Sequence, residues 1–191
     1  MRQGHLGWFE FQSFVTQIPD DEPWLEAICT LAFTFGFRRG DLTFMKVGQV
    51  DFDRSRIILP AGSTKNKMPR SVFFNPSGAP GKLLKAMAKG KRSEHYLLWR
   101  DDGSTPVRDF RVSFDNAASS AKITTGSRPG GKLFFHDLRR SCVARLAGDI
   151  GLSESQSMSA VGHLSVDVHR RYKIISDNSA REIARKIDPD V

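Results

Sequence analysis

Apolar and polar positions along the chain follow two rhythms, one helical and one that of strands. Phe9, Phe11, Phe14, Val15 and Ile18 recur at spacings that predict a short helix over 9–18. Asp20, Asp21 and Glu22 then stand ahead of Pro23. Acids before a proline mark a helix start, because the first turn is electropositive and needs no N–H from proline. The helix that follows carries Trp24, Leu25, Ile28, Cys29, Leu31 and Ala32. It is apolar on most sides, so burial is expected, with Gly36 as its stop. Asp41 is placed to cap another short helix.

Between Gln49 and Phe74 the period changes to two. Val50 with Phe52, Arg56 to Leu59, and Ser71 to Phe74 read as three short strands. The turn between the second and third, GSTKNKMP, is long, polar and basic, so it should project from the sheet. Helices are predicted again over 82–91, 107–122, 136–149, 153–161, 165–174 and 178–187. A short apolar run, Tyr96 to Trp99, and a loop, TTGSRPGGK, lie between them. The expected fold class is mainly α with a small three-stranded antiparallel β-sheet (α+β).

Composition narrows this picture. A chain of 191 residues with 39% hydrophobic and 26% charged positions suits one cored domain. No apolar run approaches the roughly 20 residues of a membrane span, and the N-terminus has no secretory apolar stretch. Cys29 and Cys142 both fall inside apolar helical patterns, so neither a disulfide framework nor a zinc site is expected, and a reducing cytoplasm fits. Acids do not cluster at metal spacing, and His163 and His169 lack a third ligand nearby. No metal and no cofactor are therefore expected. Charge is more telling. Lysine and arginine number 29 against 21 acids, a net +8, which favours a polyanionic partner. Charge alone does not separate DNA from RNA or from an anionic membrane.

Four motifs carry candidate chemistry. They are Gly36-Phe37-Arg38-Arg39-Gly40-Asp41-Leu42, Thr64-Lys65-Asn66-Lys67 in the projecting turn, His136-Asp137-Leu138-Arg139, and Gly162-His163 with Tyr172 nine positions on. Each is weak by itself. Arg38 could pair with Asp41 for structural reasons, Lys65 could be a solvated turn residue, and Tyr172 could be half-buried with its hydroxyl bonded. Only two tyrosines occur, and Tyr96 sits in an apolar run where a core role fits better.

In order and spacing, the four motifs resemble those of the tyrosine recombinase, or phage integrase, family, from about Phe9 to Tyr172. Phe37 and Asp41 are mild departures from that pattern, standing where Leu and Glu are commoner. The resemblance implies a catalytic set of Arg38, Lys65, His136, Arg139, His163 and Tyr172. Tyr172 would attack a DNA phosphodiester to give a 3′-phosphotyrosyl enzyme and a free 5′-hydroxyl. Arg38 and Arg139 would fork onto the non-bridging oxygens, and His163 would donate to one of them. His136 would assist proton transfer at the tyrosine or bind a phosphate oxygen. Lys65 would protonate the leaving oxygen, with Lys67 the competing choice. Asp41 would orient Arg38 or His136. His136 and Arg139 share one helix face at i and i+3, whereas His163 and Tyr172 require a break between them, which Gly162 and the Leu164-Ser165 stretch would supply.

The resemblance also implies double-stranded DNA as partner, cytoplasmic and nucleoid-associated action, and self-association into a tetramer on paired sites in the full-length protein. The whole of 1–191 reads as a single catalytic domain lacking the family's N-terminal core-binding domain, with a helix at about 178–187 that relatives exchange between protomers. Arg39, Lys67, Arg70, Arg128, Lys132, Arg140 and Arg170 are candidates to track the DNA backbone, as are Arg108 and Arg111. Two other readings stay open: a type IB topoisomerase-like nicking and closing activity, and a catalytically idle DNA-binding relative.

Overall fold

The computed structural model describes residues 4–61, 69–100, 102–126, 131 and 133–162. The described chain runs α1 (Trp8–Val15), α2 (Pro23–Phe35), α3 (Arg39–Thr43), β1 (Val50–Asp51), β2 (Arg56–Leu59), β3 (Arg70–Phe73), α4 (Ala79–Ala88), α5 (Arg111–Ser120), α6 (Asp137–Ala147) and α7 (Glu154–Val161). A single 3₁₀ turn, Val47–Gln49, leads into β1. The three strands form an antiparallel sheet in the order β1-β2-β3, with Ile57 opposite both Val50 and Val72. Mainly α with one small antiparallel sheet is thus the observed class.

Helix α2 is the centre of the core. Residues Leu25, Ile28, Cys29, Leu31 and Phe33 have no exposed surface. Burial of each large apolar side chain contributes roughly 1.5–3 kcal/mol. The helix packs against α1, α3, α4 and α6. Phe33 stacks on Phe11 of α1 with centroids 3.8 Å apart, and Phe14 meets Phe114 of α5 at 5.3 Å. A smaller cluster of Cys142, Val143, Leu146 and Val161 joins α6 to α7. Among the described residues no helix is long and apolar enough to cross a membrane.

Several boundaries differ from the sequence expectation for local reasons. Helix α5 begins at Arg111 rather than 107, because Asp109 accepts the Arg111 N–H at 3.1 Å and its guanidinium at 2.8 Å. That turn stalls the helix while Val107 and Phe110 remain buried. Helix α1 ends at Val15, where the Thr16 hydroxyl donates to the Ser13 carbonyl, and Ile18 packs on the core from the following turn. Asp41 lies in the first turn of α3 rather than ahead of it, and accepts the Arg38 N–H at 3.2 Å. The Tyr96–Trp99 run is not a sheet strand: Tyr96 bridges Lys46, while Leu97 and Leu98 are buried. The expected helices at 165–174 and 178–187 lie outside the described residues.

Candidate functional site

A helix leaves its last carbonyls without partners of its own, and a buried helix end needs donors from elsewhere. Helix α2 ends at Gly36, which turns left-handed at φ 64° and returns its N–H to the Ala32 carbonyl. The last three carbonyls, those of Thr34, Phe35 and Gly36, each find a different donor. The Cys142 thiol donates to Thr34 at 3.3 Å, Arg70 Nη2 donates to Phe35 at 3.0 Å, and Arg139 Nη1 donates to Gly36. Helix α7 ends in the same manner at Gly162, φ 67°. There Arg70 Nη2 donates to Ala160, and Arg139 Nη2 donates to Val161 at 3.0 Å. Two guanidiniums, one from β3 and one from α6, therefore each bridge both helix ends. Helix C-termini carry partial negative charge, so they offset these buried cations where carboxylates do not.

Gly36 is required by this closeness as well as by its backbone. A Cβ there would sit 2.9 Å from Cγ1 of Val161. At Gly151, also left-handed at φ 75°, a Cβ would meet open space. Gly36→Ala is expected to cost about 2–3 kcal/mol and lower the melting temperature by roughly 4–10 °C. Gly151→Ala should cost about half as much, so thermal melting of the two variants isolates the contact with α7.

Arg38 stands two residues beyond Gly36, at the start of α3. Its backbone N–H is fixed by Asp41, which is 9% exposed. Its half-buried guanidinium has no hydrogen bond or ion pair among the described residues. The Arg70 guanidinium lies over the ring of Phe37, 5.1 Å from its centroid. Burial pulls Arg70 down to about 10; Cys142 and Asp41 oppose the shift, and Arg38 adds to it. Arg70 thus remains a cation at neutral pH. Burial also pushes the Cys142 thiol up to about 12, so the thiol stays protonated and acts as a donor.

His136 occupies the cap position of α6 and is exposed, while Arg139, one turn on, is 1% exposed. Asp137 between them is fully buried and accepts the Phe134 N–H at 2.8 Å, which fixes the entry into α6. The bond from Arg139 to Gly36 then joins the His136–Arg139 helix to the segment leading to Arg38. The same side chain reaches the residue before Gly162, after which His163 follows in sequence. Lys65, His163 and Tyr172 themselves lie outside the described residues, as do Lys67, Arg128, Lys132 and Arg170.

The described candidates for DNA-backbone contact divide. Arg39 is exposed over the Phe110 ring and donates to the Arg108 carbonyl. Arg108 and Arg111 are also exposed, Arg111 paired with Asp109 at 2.8 Å. Arg70 and Arg140 instead turn inward. Arg140 has an 11% exposed side chain and faces Asp137 at 3.8 Å. The role of Arg70 was missed because an arginine after a basic turn reads as solvated. A signal was present: Arg70 shares the period-two face of Val72 and Phe74, both buried.

The sequence matches the model of the phage integrase family over residues 9–178. No curated protein matches it. Among solved structures, XerA recombinase superposes with a TM-score of 0.78 at 18% identity, covering 100% of this chain and 68% of that one. XerH site-specific recombinase bound to difH substrate, in a pre-cleavage complex, gives 0.69 at 16% identity. That match covers 98% of this chain and 55% of XerH. The catalytic domain of bacteriophage HP1 integrase gives 0.66 at 22% identity, covering 98% of this chain and 96% of that domain.

Proposed function

The chain belongs to the phage integrase family of DNA strand-transferring tyrosine recombinases, and from that premise we propose that it cleaves and rejoins DNA through a 3′-phosphotyrosyl intermediate on Tyr172. The observation that carries this reading is the position of Arg139. Its guanidinium touches the helix end that leads into Arg38 and the one that leads into Gly162-His163. One cation thus ties the helix of the third motif to Gly36, at the head of the first, and to Val161, the residue before Gly162.

The proposed chemistry follows from charge. Attack of the Tyr172 oxygen on phosphorus forms the phosphotyrosyl bond and breaks the bond from phosphorus to the 5′-oxygen. Negative charge builds on the non-bridging oxygens as this happens. Arg38, whose fork is unengaged among the described residues, and Arg139 are the residues assigned to receive it. The Arg139 guanidinium is planar and always charged, which suits it to two oxygens of a phosphate. Preorganised donors of this kind contribute about 3–4 kcal/mol each to the transition state. His163 is assigned to a non-bridging oxygen and His136 to the tyrosine proton or a phosphate oxygen. Asp41 fixes the backbone from which Arg38 extends. A free phenol has a pKa of about 10, so Tyr172 must give up its proton as it attacks. The phosphotyrosine retains the energy of the phosphodiester, so a new 5′-hydroxyl can displace it without ATP.

XerH was solved on a DNA substrate, and double-stranded DNA is the partner proposed for this chain. We further assign residues 1–191 to a single catalytic domain, acting in the cytoplasm at the nucleoid, with self-association into a tetramer on paired sites in the full-length protein. The test is covalent capture. Nicked duplexes of randomised sequence, in which the fragment beyond the cut diffuses away, are incubated with the protein and resolved on a denaturing gel. An adduct that survives denaturation supports the reading, and its absence across the pool refutes it.

The captured duplex also separates the two lysines. Lys65→Ala is expected to slow cleavage of ordinary DNA by about 10²–10⁴-fold, the usual worth of a general acid. It should cleave near the wild-type rate when sulfur replaces the leaving 5′-oxygen, since a thiolate leaves without a proton. If Lys67→Ala shows that pattern instead, the acid lies two positions on.

A further inference from the structure

We propose that Arg70 is a positioning residue for strand cleavage, which fixes where the Arg38 guanidinium meets the scissile phosphate. The inference rests on reading the chain as a DNA strand transferase, and it assigns Arg70 a role apart from DNA contact. The argument begins with what holds the segment between α2 and α3. Phe35 is held by its carbonyl, through Arg70. Gly36 is held by its carbonyl, through Arg139. Phe37 is 1% exposed and lies beneath the Arg70 guanidinium. Arg38 is the next residue, and the first in the segment whose side chain has no hydrogen bond or ion pair among the described residues. Arg70 thus grips the chain one and three positions before the free fork. Its grip extends to Ala160 at the end of α7 and, through β3, to the sheet.

No other residue type performs all of these contacts. A single Nη2 serves both the Phe35 and the Ala160 carbonyls, while Cζ of the same group lies over the Phe37 ring, 5.1 Å from its centroid. Lysine carries the charge as a compact ammonium without a planar face, so it can keep a carbonyl contact but not the stack. Nor is Arg70 held by an ion pair among the described residues, since its direct partners are helix-end carbonyls. Its side chain is packed against the backbone of Gly162, where an added Cβ would meet Arg70 Cδ at 3.1 Å. An arginine so enclosed has little freedom to reach a phosphate. A misplacement of about 1 Å in a catalytic group can cost about 10²-fold in rate.

The experiment uses the full chain and a nicked duplex selected by covalent capture. Arg70→Lys and wild type are compared for DNA affinity at several salt concentrations, for single-turnover cleavage at saturating protein, and for thermal melting. Arg70→Lys is expected to bind within about twofold of wild type with an unchanged salt slope, and to cleave about 10²-fold more slowly. In an Arg38→Ala background, Arg70→Lys should slow cleavage by less than about threefold, because it acts through Arg38. Phe37→Leu keeps an apolar side chain but removes the ring beneath Arg70. It should slow cleavage by about tenfold and be non-additive with Arg70→Lys.

Cleavage by Arg70→Lys at the wild-type rate overturns the proposal. So does a full multiplicative loss in the Arg38→Ala background, which would mark independent action. A salt slope reduced by about one unit would show direct phosphate contact and overturn it too. If Arg70→Lys melts below the assay temperature, Phe37→Leu decides, and additive or absent effects there overturn the role. No adduct with wild type overturns the strand-transfer reading along with this one, whereas capture by wild type with an unimpaired Arg70→Lys overturns this one alone.

Discussion

Replacing Tyr172 with phenylalanine is expected to abolish the covalent DNA adduct, with a loss of at least about 10⁴-fold. The substitution removes one oxygen and leaves the ring, so the fold and DNA affinity should be preserved. The chain offers a single rival, since it contains two tyrosines. Tyr96 is engaged structurally through its ring and its backbone. Its ring meets Phe44 edge-on at 6.5 Å, and the Lys46 ammonium lies 5.8 Å from its centroid. Its backbone N–H donates to the Gly103 carbonyl at 2.8 Å. Tyr96→Phe keeps the ring that makes these contacts, so adduct yield should stay within about twofold. The measurement is a denaturing gel of each variant on the captured nicked duplex, beside a gel shift for binding. Persistence of the adduct in Tyr172→Phe would remove the nucleophile from the proposed mechanism.

The same comparison shows what the sequence could reveal. Both helix stops were legible, because Gly36 ends an apolar helical run and Gly162 directly follows the helix expected over 153–161, each where a left-handed residue is needed. The strands were legible through their alternation, with Ile57, Leu59 and Val72 on the buried face. The helix carrying Arg139 was legible from its spacing, with His136 standing at its cap. What the spacing did not disclose is how far each side chain points inward. Arg139, read as a phosphate fork, is also the largest fully buried side chain and a structural bridge. Arg70 and Arg140 read as surface cations, since charged residues are seldom buried unless paired. Their partners are two helix-end carbonyls in one case and Asp137 in the other. The carbonyl partners of Arg70 exist only once α2 and α7 have packed beside β3, so no local pattern announces them, whereas Asp137 stands three positions before Arg140 on the same helix. The start of α5 was misplaced for a smaller reason: the Asp109 turn competes with the helix, and amphipathic spacing alone does not register a side-chain cap.

Arg139 then offers the other large effect, because its two duties separate under substitution. Arg139→Ala should fail at both. It deprives the Gly36 and Val161 carbonyls of their donor, and each buried unsatisfied carbonyl costs about 1–3 kcal/mol. A loss near 3–5 kcal/mol would lower the melting temperature by roughly 10 °C or more in a chain of this size. Arg139→Lys divides the duties. An ammonium keeps the charge beside the two helix ends, where their dipoles favour it. It cannot span both carbonyls while forking onto a phosphate. Stability should therefore fall by only about 1–2 kcal/mol. Single-turnover cleavage by the folded protein should fall by about 10²–10³-fold, as when one preorganised donor is removed. Calorimetry and cleavage of the captured duplex, measured on one preparation, place each variant on both axes. If Arg139→Lys cleaves like wild type, the planar fork is dispensable and the phosphate is met by charge alone. If Arg139→Ala melts like wild type, the bridge does not hold the ends of α2 and α7 together, and other contacts must do so.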